Sequence, residues 1–331
     1  MMRISFPSQL TGAASLNGFA VTLGQAANVE TVVLDASPLT FARPFGAVLC
    51  AHLLRNFVGA RRANGLATRV DQSTLSVRES PAITYLGHVG FWRFVGIKYG
   101  NAPGEAYGGA TYLPLTVIRR DELDPDVRVG RLQDSIDRRA RKLAQLVVND
   151  ESEVDLLAYC LREVVRNVFE HAAIDQCSVM AQAYPSSDEV ELVVADEGRG
   201  VHASLSEAYS FPHAEAAVRH ALEPGVTRVA SPQEESEWEN TGFGLYVLSE
   251  FGSMCGSFSI ATSGVILTRA VGTGEVFTEI DAPGTAIGLK VSTADAEYFP
   301  NRLQQIVTKG ERRASAGSAK KVAASKRTRV P

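Results

Sequence analysis

Apolar residues along this chain fall into two patterns, short runs that suit strands and stretches at three- and four-residue spacing that suit helices. Thr31-Val-Val-Leu34 is a continuous apolar run ended by Asp35, as expected of a strand buried on both faces, and Pro38 and Pro44 mark the turn region behind it. Phe45, Val48, Leu49, His52, Leu53 and Phe57 then recur at helical spacing, which predicts a helix directly after the strand. A further strand is expected over Leu66 to Val70, after the Asn64-Gly65 turn. Residues 1–110 are thus expected to form a small α/β domain.

The segment Tyr85 to Gly100 carries Phe91, Trp92, Phe94 and Tyr99 beside Arg93 and Lys98. Interleaved aromatic and basic residues can stack nucleic-acid bases, but a terminal helix packed on the small domain explains them as well. Gly and Pro make Asn101 to Gly109 a loop. Tyr112 to Ile118 reads as a connecting or edge strand, since Pro114 argues against a central one. Arg131 to Val148 is an amphipathic helix with Leu132, Ile136, Leu143 and Val147 on one side. It can pack within the chain or on a partner, and residues 111–150 are taken as a connector.

From residue 151 the pattern predicts a second α/β domain, to residue 300. Leu161 to Ala172 is a helix in which Glu163, Asn167 and His171, four residues apart, share one face, while Leu161, Val164, Val165 and Phe169 hold the other. Taken alone, the same stripe describes an ordinary amphipathic helix with its polar side in water. Strands are predicted at Gln176 to Tyr184, Val190 to Ala195, Ser257 to Ala261, Val265 to Ala270 and Thr285 to Val291, the later ones antiparallel and joined by Gly-rich turns. His202 to Asn240 is a long polar segment, of a length that suggests a mobile cover over a site. Ala214 to Leu222 is a short helix within it, and a further helix begins near Tyr246.

Composition narrows this picture. The chain has 331 residues, 45% of them hydrophobic, enough for two buried cores. No apolar run reaches the roughly 18 to 20 residues of a membrane helix, and Met1 to Pro7 lacks the apolar stretch of a secretory signal. The expected location is therefore the cytoplasm, without membrane attachment. Cys50, Cys160, Cys177 and Cys255 have no metal-ligand spacing, and neither do His213 and His220. The net charge of −4 is uneven: from Lys309 onward eight Lys or Arg face only Glu311, so the remainder carries about −11. Residues 301–331 are expected to be a disordered basic tail, open to nucleic acid or an acidic partner, or simply solvated.

Two stretches carry ligand chemistry. Asp196-Glu-Gly-Arg-Gly200 follows a strand directly; a carboxylate there can accept from an exocyclic amine, and the glycines permit close backbone approach. Thr241-Gly-Phe-Gly244 opens a helix, whose exposed N–H groups attract an anion such as phosphate.

The order of these parts resembles the Bergerat ATP-binding fold of the GHKL superfamily, which includes histidine kinases and anti-sigma-factor kinases. The likeness covers E-x-x-x-N-x-x-x-H on a helix, a strand ending D-x-G-x-G, a long lid, G-x-G before a helix, and Gly-Thr before a strand. It implies a mixed, mainly antiparallel sheet with helices on one face. It also implies that ATP and Mg2+ are bound: Asn167 on the metal, Asp196 on the adenine amino group with Thr285 in support, Gly198 and Gly200 as lid hinges, and Thr241, Gly242 and Gly244 at the phosphates. His171 would stand near the phosphates, and Glu163 matches the residue that polarises the nucleophile.

Residues 20–100, with Val32-Val-Leu-Asp-Ala-Ser-Pro-Leu-Thr-Phe41 as central strand, resemble the STAS domain of anti-sigma-factor antagonists. Pro44 and Phe45 replace the serines usual there, so phosphorylation at that site is not expected. Histidine-kinase activity is not expected either, because His52 and His88 do not lie in a helical hairpin with an acidic neighbour. The leading expectation is a Mg-dependent ATPase whose lid closure switches its contacts with a protein partner or a second copy. A serine/threonine kinase acting on a separate antagonist and a non-hydrolysing ATP-dependent module are the alternatives.

Overall fold

The computed structural model describes residues 1–75, 80–106, 111–123, 131–226, 241–294, 296–316 and 323–324, apart from the Arg131 side chain. The last 14 residues of the expected lid, residues 227–240 with the acidic run Glu234 to Glu237, and residues 317–322 and 325–331 of the expected basic tail lie outside the described residues.

The N-terminal unit runs β1 (Met2–Ser5), β2 (Gln9–Leu10), α1 (Ala13–Gln25), β3 (Thr31–Asp35), β4 (Phe41–Ala42), α2 (Pro44–Ala63), β5 (Ala67–Val70), α3 (Gln72–Leu75), α4 (Pro81–His88) and α5 (Phe91–Phe94). β3 is the centre of a parallel three-stranded sheet between β1 and β5. Proline at the first position of α2 has the φ a helix needs and lacks only an N–H that would go unused. The buried Arg61 near its end donates to the carbonyls of Ala26, Ala27 and Ala67, which fastens α1 and β5 to the same helix. The aromatic segment is core: Phe91 and Trp92 are 0% exposed and the Trp92 indole donates to the Ile83 carbonyl. A base-stacking role for Phe91 and Trp92 is thereby excluded.

The larger unit continues with β6 (Tyr112–Arg119), α6 (Arg131–Ala144), α7 (Glu151–His171), β7 (Gln176–Tyr184), β8 (Glu189–Asp196), α8 (Gly200–Leu205), α9 (Ala214–Ala221), α10 (Gly244–Cys255), β9 (Gly256–Thr262), β10 (Val265–Ala270), β11 (Gly274–Glu279), β12 (Thr285–Ser292) and α11 (Phe299–Ala316). Its seven strands lie in the order β11-β10-β9-β12-β8-β7-β6 with every neighbouring pair antiparallel. The expected mixture of strand directions is thus replaced by a wholly antiparallel sheet. Residues 112–119 form its edge strand, one of the two forms expected of this segment, and the register slips between Leu113 and Thr116, around Pro114, which has no N–H for the ladder. α6 packs on α7, so its apolar side is satisfied within the chain.

Helices do not cover one face alone. Val190, Leu192 and Val194 of β8 join the core formed with α7 and α10, while Val193 and Ala195 join the core of the N-terminal unit. Period-two alternation therefore feeds two cores from one strand. α2 lies on this second face, where the Phe45 ring occupies the space above Gly288: a Cβ at Gly288 would come within 2.4 Å of that ring.

The C-terminal expectation needs correction as well. Residues 301–316 are not a disordered tail but most of α11, with Leu303, Ile306 and Val307 buried against the larger core. The basic composition hid an apolar stripe at positions 299, 303, 306 and 307.

Candidate functional site

α7 starts where Asp150 accepts from the N–H groups of Ser152 and Glu153, with Glu151 and Glu153 in the first turn complementing the helix dipole. Its end, the end of β8, the start of α8, the turn before α10 and the start of β12 converge on one cleft. Asn167, His171, Asp196, Gly200, Gly242, Gly244 and Thr285 line it, together with apolar residues such as Val164, Val194, Leu245 and Ile260. Apolar walls with a few polar groups are typical of small-molecule sites.

Asp196 is 3% exposed. Burial pushes its pKa up to about 6, opposed by the backbone N–H groups of Gly198 and Thr285, which donate to the carboxylate. The Gly198 bond is 2.7 Å. Gly198 does not line the cleft; it shapes the turn, and a Cβ there would lie 2.3 Å from the Ala172 carbonyl oxygen. Thr262, which the sequence did not single out, ties the neighbourhood together: its hydroxyl accepts from Val201 N–H at 3.0 Å and lies 3.2 Å from the Thr285 hydroxyl. Asn167 projects a buried amide nitrogen, Nδ2, that has no hydrogen-bond partner.

Thr241 and Glu163 are not among the lining residues. Glu163 is 0% exposed, with Oε2 2.7 Å from Arg166 Nη2 and Oε1 3.4 Å from Arg162 Nε. Gly244 lies directly against it, since a Cβ on Gly244 would be 2.5 Å from Oε2. The three-residue step from Glu163 to Arg166 was a sequence signal for this pair. Glu163 thus holds two buried arginines beneath the glycine turn, rather than facing the cleft.

Cys50, Cys160 and Cys177 are buried, with their thiol pKa raised by burial, and no cluster of three His, Cys, Asp or Glu suited to a metal occurs among the described residues. No helix among them is long and apolar enough to cross a membrane. Compared with models of known protein families and with curated proteins, the chain matches none.

Proposed function

We propose that this chain is an ATP-binding regulatory protein of GHKL type, with a STAS-like N-terminal unit, whose nucleotide occupancy sets its contacts with a protein partner. The observation that carries this reading is the single cleft lined by Asn167, Asp196, Gly242, Gly244 and Thr285, which come from four separate segments. Asp196 offers an acceptor for the adenine amino group. The glycine turn at the start of α10 offers N–H groups and the positive end of a helix to the phosphates. A Mg2+ ion commonly takes few protein ligands beside phosphates and water, so Asn167 alone fits as its protein ligand, and the ion would supply charge neutralisation at the phosphates. The unpartnered Asn167 amide supports a polar ligand at that point.

Binding is favoured over turnover because Glu163 is engaged by Arg166 and Arg162. Hydrolysis stays a second reading on one observation: the Glu163 carboxylate lies against Gly244, which lines the cleft. Saturating MgATP is expected to raise the melting temperature, by about 2.7 kcal/mol of linked stability at 100 times Kd; no shift would count against the reading. Phosphate release measured for Glu163→Gln separates the two: a base at Glu163 predicts loss of turnover with binding kept.

A further inference from the structure

Asp196 and Glu197 are consecutive at the end of β8, so their side chains leave opposite faces of the sheet. Asp196 enters the cleft. Glu197 faces α2, where its Oε1 lies 3.3 Å from His52 Nδ1 and 3.1 Å from Arg55 Nε. Both partners are themselves held. His52 is buried, with Nε2 2.7 Å from the Ser178 hydroxyl on β7, and the Arg55 guanidinium lies 4.4 Å over the Phe94 ring. The helix that carries them is pinned to the sheet by Phe45, whose N–H donates to Glu191, and by Arg43, which pairs with Glu189 and Glu191. The adjacent His52 imidazole, with the Arg55 guanidinium beside it, holds Glu197 below the usual carboxylate range despite its burial, in keeping with an ionised partner for Arg55.

Glu197 is flanked by the two residues that form the turn, Asp196 and Gly198. Anchoring its side chain on one face of the sheet restrains the backbone that aims the Asp196 carboxylate on the other. We propose that His52 and Arg55 of the N-terminal unit are positioning residues of the nucleotide cleft, holding Glu197 so that the Asp196–Gly198 turn keeps the geometry that receives the base. The nucleotide site is then incomplete without the N-terminal unit, and displacement of α2 weakens binding. This inference rests on the nucleotide reading.

The test uses the full chain and calorimetric titration with MgATP and with adenosine. Wild type is measured first, and a wild type that binds neither ligand overturns the nucleotide reading and this inference with it. Given binding, Arg55→Ala and Glu197→Gln are each expected to weaken adenosine and MgATP alike, by about tenfold, since both ligands share the base. The double variant should lose no more than either single one, and Arg55→Lys should recover most of the loss. Wild-type affinity in Arg55→Ala overturns the proposal. So does a double-variant loss equal to the product of the single losses, or a loss that Arg55→Lys fails to recover.

Discussion

Asp196 is an acid kept where ionisation is disfavoured. Its folded pKa of about 6 lies above the usual 3.8, so the folded chain holds this proton more tightly than the unfolded chain does. The stability it contributes is complete below 3.8 and is lost as pH rises through about 6, a difference of about 3 kcal/mol. The difference in stability between wild type and Asp196→Asn, measured by denaturant titration, should therefore shift against wild type from pH 4 to about pH 7. Nucleotide affinity should run the other way, rising through about pH 6 as the carboxylate becomes an acceptor. Glu163 makes a different prediction. Its removal in Glu163→Ala leaves Arg166 buried without its closest carboxylate, which costs about 3 to 5 kcal/mol; an unchanged melting temperature would show that the pair is not formed.

At the scale of elements, close contacts at single glycines fix how helices meet the sheet. Gly288→Ala puts a methyl group into the Phe45 ring and should destabilise the docking of α2 by about 1 to 3 kcal/mol. Protection of α2 amides in hydrogen exchange should fall while the larger core keeps its own. α11 belongs to the larger core: Gly310 is pressed against the Tyr246 and Phe243 rings, and Arg313 reaches Glu223. Truncation after Ala316 removes Ala324 from the larger core and its N–H bond to Glu311, so it should cost about 1 kcal/mol or less and leave nucleotide binding unchanged. Truncation before Phe299 should lower the melting temperature sharply, because Leu303, Ile306 and Val307 leave the core with it. Equal melting temperatures for the two truncations would contradict the packed helix.

Across the whole molecule, one antiparallel sheet carries the cleft on one face and an α/β unit on the other. Local patterns made much of this readable from residue order: the β3 run, the α2 period, the four-residue stripe of α7 and the glycine turns all stand close to where they were expected. Other elements carried weaker signals. α1 buries only Leu16, Phe19 and Leu23 and contains Gly18 and Gly24, and β11 is largely exposed. Contacts between distant residues had no local signature at all. Phe45 meets Gly288, and Arg55 meets Glu197, across stretches that periodicity cannot relate. The stripe on α7 likewise gave the direction of Glu163 without what covers it, and the covering arginines and Gly244 change its chemistry.

In the proposed function the cleft receives ATP through Asp196. Titration of wild type and Asp196→Ala with MgATP tests it most directly. Saturable binding to wild type is expected, with a loss of about 10- to 100-fold in the variant, the contribution of a hydrogen bond to a charged group. Equal affinity in the two proteins, or no binding to wild type, would contradict it.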